Sequence, residues 1–238
     1  MKKRIIEDRK KFDNSVKYLK TKKKILFLTT SNRWIGEKND IPKSTQLALK
    51  MKKILGRKVK IIRVPELKIY MCEGNVSVAR GSNCGVAKAL LKDKFKNPSG
   101  FHKCWASINN KDDELWKVSK SLFESDCVIF FGSVRWGQAN AVYQKLIERL
   151  TWIESFKSSV GGRNLVGNID AGIILVGQNW NGADALRIQK GVLGSFSFNV
   201  VERLCWNWQY TKDAHEESDE SYKRGVKEFE KIFIKRKL

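Results

Sequence analysis

The sequence lacks the features that identify membrane, secreted and metal-binding proteins. None of its apolar runs approaches the roughly 18 residues that a membrane-spanning helix needs. Its N-terminal segment is basic but has neither the hydrophobic stretch nor the cleavage site of a secretory signal. The cysteines number five, and an odd number fits a reducing compartment better than a disulfide framework. They form no C-x-x-C pair, which argues against a zinc site or a cysteine-ligated cluster. The sequence therefore predicts a cytoplasmic protein that binds no metal.

The common nucleotide-binding motifs are also missing. No G-x-G-x-x-G follows a predicted strand, so a dedicated dinucleotide-binding half is absent. Residues 177–182 have the glycine spacing of a P-loop, but Ala183 and Asp184 stand where that motif requires Lys and Ser or Thr. A nicotinamide cofactor, if one is used, is therefore expected to bind only transiently.

Acidic residues and histidines are scarce. The chain has 25 Asp and Glu against 47 Lys and Arg, a net charge of +22, and residues 1–24 contribute eleven of the cations against three acids. Such a charge attracts nucleic acids, anionic membranes and phosphorylated ligands. Lysines spread over exposed helix faces account for the excess more simply, so we do not expect a nucleic-acid partner. Both histidines, His102 and His215, lie outside the predicted strand ends, and no general acid or base is evident.

Hydrophobic periodicity indicates alternating strands and helices. Strands are predicted over residues 24–30, 59–64, 127–131, 171–176 and 198–204. Helices are predicted over residues 44–55, 139–153, 183–193 and 218–234, with a further helix capped by Asp112 or Asp113 and a short one within 87–95. In the final helix, Tyr222, Val226, Phe229 and Phe233 are predicted to face inward. Strands that alternate with helices in this way form a parallel sheet covered on both faces.

The chain divides into a basic N-terminal extension, residues 1–23, with a weakly helical pattern, and a domain over residues 24–238. Within the domain, the connection over residues 66–111 is too long for an ordinary loop and contains Cys72, Cys84 and Cys104. It is expected either to cover the functional site or to reach a partner subunit. The other two cysteines, Cys127 and Cys205, lie among apolar residues and are predicted to be buried.

Hydroxyl and cationic side chains follow the first predicted strand. Ser31 and Arg33 come directly after it, and Ser44 and Thr45 begin the next helix. Ligands of parallel α/β sheets bind beyond the carboxyl ends of the strands, and a helix N-terminus favours anions. These four residues therefore predict a phosphate site, although Ser44 as a simple helix cap is the alternative.

The third and fourth predicted strands end in loops that combine glycine, amide side chains and tryptophan. Exposed backbone and aromatic faces of this kind suit a flat heteroaromatic ring, whereas tryptophans that merely pack are the alternative. The candidate ring contacts are Ser133, Val134, Arg135, Trp136, Gly137 and Gln138 in one loop and Gly177, Gln178, Asn179 and Trp180 in the other.

These loops carry a family resemblance. Residues 30–33 (TSNR) with 43–45 (KST), residues 125–137 (SDCVIFFGSVRWG) and residues 144–150 (QKLIERL) resemble the motifs of the flavodoxin-like NADPH-dependent FMN reductases. The resemblance implies an α/β three-layer sandwich with a five-stranded parallel sheet, helices on both faces and a long insertion after the second strand. The sequence departs from the family pattern at Val134, where proline is usual, and at Arg135, where tyrosine or glutamate is common.

The resemblance also implies a function. The expected protein is an FMN-dependent oxidoreductase that takes a hydride from NADPH or NADH and passes electrons to a small acceptor such as a quinone or free flavin. The FMN phosphate would lie at Ser31, Arg33, Ser44 and Thr45, the ring would lie between the two glycine-containing loops, and Arg135 would stabilise the reduced flavin. Homodimers are common in the family. The alternatives are an electron carrier or flavin-binding protein without turnover and, third, a nucleic-acid-binding α/β protein.

Overall fold

A mainly parallel β-sheet lies at the centre of the molecule. The computed structural model describes residues 2–32, 40–177, 180–211 and 216–235. The strands are β1 (Ile25–Thr29), β2 (Val59–Arg63), β3 (Cys127–Arg135), β4 (Gln138–Ala139), β5 (Asp170–Gly177), β6 (Asn199–Val200) and β7 (Trp206–Gln209). The helices are α1 (Lys2–Leu19), α2 (Lys43–Leu55), α3 (Trp105–Asn109), α4 (Leu115–Phe123), α5 (Ala141–Ser158), α6 (Gly182–Ser195) and α7 (Asp219–Phe229), and a π-helical turn, Glu230–Ile234, continues α7.

The sheet has the order β2-β1-β3-β5-β6, and β7 also pairs with β5. All of these pairs are parallel. Strands β1 and β5 are buried almost throughout because helices cover both faces of the sheet, which explains their continuous apolar runs. One core cluster includes residues of α4, α5 and α6, and the other includes residues of α1, α2 and α7. The predicted three-layer α/β sandwich is therefore confirmed, with β6 and β7 sharing the position of its fifth strand.

The third strand is longer than the sequence predicts. Instead of ending at Phe131, β3 continues through Gly132 to Arg135 and turns back into β4, an antiparallel partner. Trp136 and Gly137 form the turn with φ of +48° and +71°, and two positive φ values in succession are the mark of a type I′ hairpin turn. Gly132 does not end the strand. It allows close packing, since a Cβ there would lie 3.2 Å from Asn140 Oδ1.

The predicted fifth strand is interrupted. A 3₁₀ turn, Glu202–Leu204, separates the two residues of β6 from β7, which carries most of the pairing beside β5. The turn presses Leu204 against the sheet, where a Cβ on Gly172 would lie 2.3 Å from the Leu204 Cβ. An apolar run alone does not reveal such a break, so the prediction of one strand over residues 198–204 was wrong.

Two helix predictions also need correction. The predicted helix within residues 87–95 is only a 3₁₀ turn, Ala87–Ala89. Helix α4 follows Glu114, whose side chain does not cap it, but the Asp113 carboxylate accepts the N–H of Leu115, the first helical residue, at 3.3 Å. Asp113, one of the predicted caps, uses its carboxylate mainly to bind Arg149.

Helix α1 packs against the sheet through Phe12, Val16 and Leu19. Beyond its core contacts, the Tyr18 hydroxyl donates a hydrogen bond of 2.5 Å to Asp170 Oδ2, and Lys22 forms an ion pair with the same carboxylate. Burial raises the pKa of Asp170, but the bonds from Lys22 and Tyr18 outweigh it and hold that pKa below its ordinary value. This cluster ties the start of β5 to the N-terminal helix.

The long connection after β2 is fixed by a buried ion pair. Arg149 of α5 donates to both oxygens of Asp113, at 2.8 and 3.0 Å, and both side chains are fully buried. The same guanidinium donates to Tyr70 O at 2.8 Å and to Ser107 Oγ at 2.9 Å. Burial raises the pKa of Asp113, but the hydrogen bonds from Arg149 and Ser107 outweigh burial, so the pKa lies below its ordinary value. Residues near both ends of the connection therefore converge on one arginine.

We expect removal of this pair to destabilise the protein strongly. Asp113→Ala leaves a buried guanidinium without its counter-ion, which typically costs about 3–5 kcal/mol. Asp112→Ala is the matched control, because the neighbouring carboxylate is exposed and pairs with Lys68 at the surface, so its loss should cost about 1 kcal/mol or less. The free energy of unfolding from urea titrations measures both. Similar values for the two variants would contradict the assigned role.

His102 is a second buried polar group. Its side chain lies in the 66–111 connection, makes a 2.5 Å contact from Nδ1 to Ser119 Oγ and stacks on Trp152 at a centroid distance of 5.2 Å. Burial lowers the pKa of His102 to about 3, so the folded protein keeps this imidazole neutral. In the unfolded chain the same group takes up a proton near its ordinary pKa of 6.5.

The stability of the protein is therefore expected to fall as the pH drops below 6.5. The unfolded state then binds more protons than the folded state, and the loss is about 1.4 kcal/mol per pH unit, or about 2 kcal/mol by pH 5. Asp113 and Asp170, with pKa values lowered from 3.8, lose their contribution only at more acidic pH. Urea unfolding of the wild type and of His102→Gln between about pH 7.5 and 5 measures the effect. A wild-type slope that persists in the variant would rule out His102 as its source.

Candidate functional site

A cavity of about 390 Å³ opens at the carboxyl ends of β1, β3 and β5. Its position coincides with the point where the sheet order reverses between β1 and β3, which is where ligands of open α/β sheets bind. The volume lies within the range of small-molecule sites. The lining residues are Ser31, Asn32, Asp40, Pro42, Lys43, Ser44, Ser133, Val134, Arg135, Val176, Gly177, Glu217, Tyr222 and Val226.

One end of the cavity is rich in hydroxyls. Ser44 Oγ donates to Ser31 Oγ at 2.7 Å, and Lys43 lies beside them in the first turn of α2. Pro42 is the N-cap residue and no side chain caps this helix, so the Ser44 hydroxyl does not serve as a cap. The first turn of a helix presents unbonded N–H groups and a positive dipole end. This end of the cavity therefore suits an anion.

Two other residues of the predicted phosphate site are not in the cavity lining. Thr45 is buried beneath the first turn of α2 and does not line the cavity. Arg33 lies outside the described residues. The predicted phosphate site thus contributes Ser31 and Ser44 to the lining.

Asn140 fixes the strand ends above the cavity. Its Oδ1 accepts the Ser133 N–H at 3.0 Å and the Thr30 hydroxyl at 3.1 Å, and its Nδ2 donates to Thr30 O at 2.9 Å. The buried amide therefore joins the end of β1 to β3 at the start of α5. Nothing in the sequence marks this asparagine apart from its position before a helix, where a cap is usual.

The β3–β4 hairpin divides the predicted ring contacts between two surfaces. Ser133, Val134 and Arg135 line the cavity, whereas Trp136 at the tip is 82% exposed. Trp136 and Gln138 instead line an adjoining open groove of about 470 Å³, which shares Arg135 with the cavity.

The loop after β5 braces this hairpin. Asn181 Nδ2 donates to Gly137 O at 3.0 Å, and the Trp180 ring lies so close that a Cβ on Gly137 would be 3.1 Å from it. Gly177 lines the cavity. Gln178 and Asn179 lie outside the described residues.

The C-terminal helix contributes cavity residues that the sequence analysis missed. Tyr222 and Val226, predicted to face the core, are 38% and 43% exposed and line the cavity, whereas Phe229 and Phe233 are buried as predicted. In the earlier turns of α7 the buried residues are instead Ser221 and Gly225, so the buried face of the helix is displaced from the predicted one.

A carboxylate accompanies these residues. The Tyr222 hydroxyl donates to Glu217 Oε2 at 2.9 Å, which raises the pKa of Tyr222. The other oxygen, Glu217 Oε1, is buried and has no hydrogen-bond partner among the described residues. The cavity thus offers an unused acceptor to a ligand that carries an N–H or O–H group.

All five cysteines are free thiols that form no disulfide. Cys127 and Cys205 are buried as predicted. Cys72, Cys84 and Cys104 are free thiols around a cavity of about 20 Å³ beside Arg149. Across the described ranges, no group of three or more His, Cys, Asp or Glu side chains is arranged to hold a metal ion.

No helix in the described part of the chain is both long enough and apolar enough to cross a membrane.

Comparison with known proteins relates the chain to solved structures. No protein-family model matches the sequence, and no curated protein sequence matches it. RosB, crystallised with the bound intermediate 8-demethyl-8-formylriboflavin-5′-phosphate, matches with a TM-score of 0.56 at 14% identity, covering 89% of this chain and 74% of RosB. The azoreductase AzrA matches with a TM-score of 0.49 at 13% identity, covering 90% of this chain and 100% of AzrA. A putative quinone reductase from Klebsiella pneumoniae matches with a TM-score of 0.49 at 13% identity, covering 87% of this chain and 82% of that protein.

The sheet order β2-β1-β3-β5-β6 is the flavodoxin-like order of open α/β sheets, because β5 is the fourth strand of the main sheet. RosB is similar to this chain in fold. The flavodoxin-like fold that the sequence resemblance implies is therefore confirmed.

Proposed function

We propose that the chain is an FMN-dependent oxidoreductase that takes a hydride from NADPH or NADH and passes electrons to a small acceptor such as a quinone or free flavin. The observation that carries the proposal is the single cavity in which the Ser31–Ser44 hydroxyl pair meets the ends of β3 and β5. RosB, which has a similar fold, was crystallised with a riboflavin phosphate derivative. A homodimer in the cytoplasm is part of the proposal.

The residues present in the cavity fit FMN. At the α2 end, the Ser31 hydroxyl, which accepts the Ser44 hydrogen bond, would donate its own hydrogen to the phosphate, and Lys43 would add a positive charge. Elsewhere in the cavity lining, the unused Glu217 oxygen would accept a hydrogen bond from an N–H of the flavin ring. Both ends of the ligand thus have a partner of the right chemistry.

The strand ends orient the ring and tune its electrostatics. The Asn140 amide holds β1 and β3 in register, and Gly177 leaves space where a Cβ would lie 2.8 Å from the Val134 Cβ. Bound FMN supplies the redox chemistry, because it accepts the hydride from the nicotinamide and returns electrons to the acceptor. Arg135, on the cavity wall, would supply a positive charge that stabilises the negative charge of the reduced flavin.

Flavin reconstitution followed by steady-state kinetics tests the proposal. We expect the purified protein with FMN to show flavin absorbance bands and to oxidise NADPH or NADH when a quinone or free flavin is supplied. Flavin binding without turnover would instead support the electron-carrier alternative. The absence of flavin binding would refute both.

The phosphate contacts are tested within the same experiment. Ser44→Ala removes the hydroxyl that orients Ser31 toward the phosphate, so the Kd for FMN should rise about tenfold while the Kd for riboflavin, which lacks the phosphate, stays unchanged. Ser121→Ala, a buried serine of α4 that bonds only to Lys117 O, is the matched control and should change neither. An equal effect on both ligands would place the Ser44 contact elsewhere.

Arg135 is expected to set the flavin potential. Loss of its charge in Arg135→Ala should lower the midpoint potential of bound FMN by roughly 30 mV, which is about 1.4 kcal/mol for two electrons, and slow reduction by NADPH. Arg135→Lys, which keeps the charge, should retain most of the wild-type midpoint potential and reduction rate. Spectroelectrochemistry and stopped-flow reduction measure them. An unchanged potential and rate in the alanine variant would remove Arg135 from the mechanism.

A further inference from the structure

A strongly basic surface lies far from the cavity. Between Asn14 and Lys24, and again over residues 41–65, the chain contains no aspartate or glutamate but many lysines and arginines. The net charge of +22 is therefore concentrated locally rather than spread evenly along the sequence.

The fold brings these two segments to one edge of the sheet. Helix α1 leads into β1 and helix α2 leads into β2, and the first residues of the two strands, Ile25 and Val59, are partners in the parallel pairing. The turns that precede both strands therefore lie at the amino ends of the strands, opposite the cavity at the carboxyl ends. Lys58 Nζ donates to Lys20 O at 2.8 Å, which joins the two segments directly.

Eight exposed cations form this surface, which we call the basic edge. They are Lys20, Lys23, Lys24, Lys52, Lys53, Arg57, Lys58 and Lys60.

The basic edge is not neutralised by carboxylates. None of its eight cations takes part in an ion pair with a carboxylate of the described chain. Of the nearby acids, Asp170 pairs with Lys22, and Asp126 accepts the backbone N–H groups of Lys23 and Lys24 at 2.9 and 3.1 Å and so offsets at most one of the eight charges. The negative end of the α2 dipole accounts only for Lys52 and Lys53 in its last turn. The remaining cations repel one another unless an anionic partner is present.

The chemistry of the edge distinguishes among polyanions. Stable membrane binding takes a second signal besides positive charge, such as apolar side chains that insert below the headgroups. The large exposed hydrophobics of the described chain include none within residues 20–24 or 52–60. Cations alone suffice for a phosphate backbone, because neutralising successive phosphates releases counterions. No exposed aromatic residue at the edge is available to stack on bases, so recognition would be independent of sequence.

We propose that the basic edge binds the phosphate backbone of a nucleic acid, at a site separate from the flavin cavity. This inference revises the expectation drawn from the sequence alone, in which the excess charge was assigned to scattered surface lysines. It does not depend on the proposed oxidoreductase function, since none of the eight residues lines the cavity.

Fluorescence anisotropy with labelled oligonucleotides tests the proposal. The probes are a single strand of about 20 thymidines and a mixed-sequence duplex of similar length, titrated between about 50 and 200 mM NaCl. We expect binding to both, with affinity that falls steeply with salt. In the variant Lys53→Gln, Arg57→Gln, Lys58→Gln, Lys60→Gln, the slope of log Kd against log salt for the duplex should fall by about 3.6, since each of the four lost phosphate contacts removes roughly 0.9.

A matched variant separates the basic edge from the overall charge. Arg80→Gln, Lys88→Gln, Lys92→Gln, Lys94→Gln removes four exposed cations from the 66–111 connection, so both variants lose the same charge. This control should bind like the wild type, and Lys53→Arg, Lys58→Arg, Lys60→Arg should retain binding if the first variant unfolds. Equal weakening in both quadruple variants, or no binding at about 50 mM NaCl, would overturn the proposal. Binding to phosphatidylserine vesicles without binding to oligonucleotides would overturn it as well.

Discussion

The candidate site depends on one buried amide. Asn140 accepts hydrogen bonds from the Ser133 N–H of β3 and from the Thr30 hydroxyl, and it donates to the backbone carbonyl of Thr30, which follows β1. Because it also stands at the start of α5, the two strand ends and the helix that frame the cavity share one polar anchor. A buried network in which every group is satisfied holds its members in a unique arrangement. The close approach of Gly132 to this amide explains why the strand carries glycine there.

A second anchor supports the surroundings of the site. The Arg149–Asp113 pair gathers residues from both ends of the long connection onto the face of α5. Met71, from the same connection, then lines the open groove beside the hairpin. The connection is thus part of the architecture around the site, although it has little regular secondary structure. A buried ion pair such as Arg149–Asp113 is generally no more stabilising than well-packed hydrophobic side chains of similar volume. Its directional hydrogen bonds instead fix the position of the connection relative to α5.

The two ends of the parallel sheet have opposite chemical characters. The carboxyl ends combine hydroxyls, a free carboxylate oxygen and Arg135 around a cavity. The amino ends carry the basic edge, where nearby acids are already bound to backbone or to Lys22. In a parallel sheet every strand contributes its start to one edge and its end to the other. Two functions can therefore be placed on one domain without competing for the same residues.

The sequence by itself determined the α/β class, the buried strands and most helices, because apolar periodicity is a local property. It also pointed to Ser31, Ser44 and the β3 loop as site residues, since strand ends share an edge. Only the tertiary structure decided the β3–β4 hairpin, the interrupted strand before β7 and the position of Tyr222 and Glu217 in the cavity. The same is true of the partner of Asp113 and of the clustering of lysines from two segments. Apart from the β3–β4 hairpin, whose partners are close in sequence, these features depend on contacts between residues far apart in the chain, which no local pattern records.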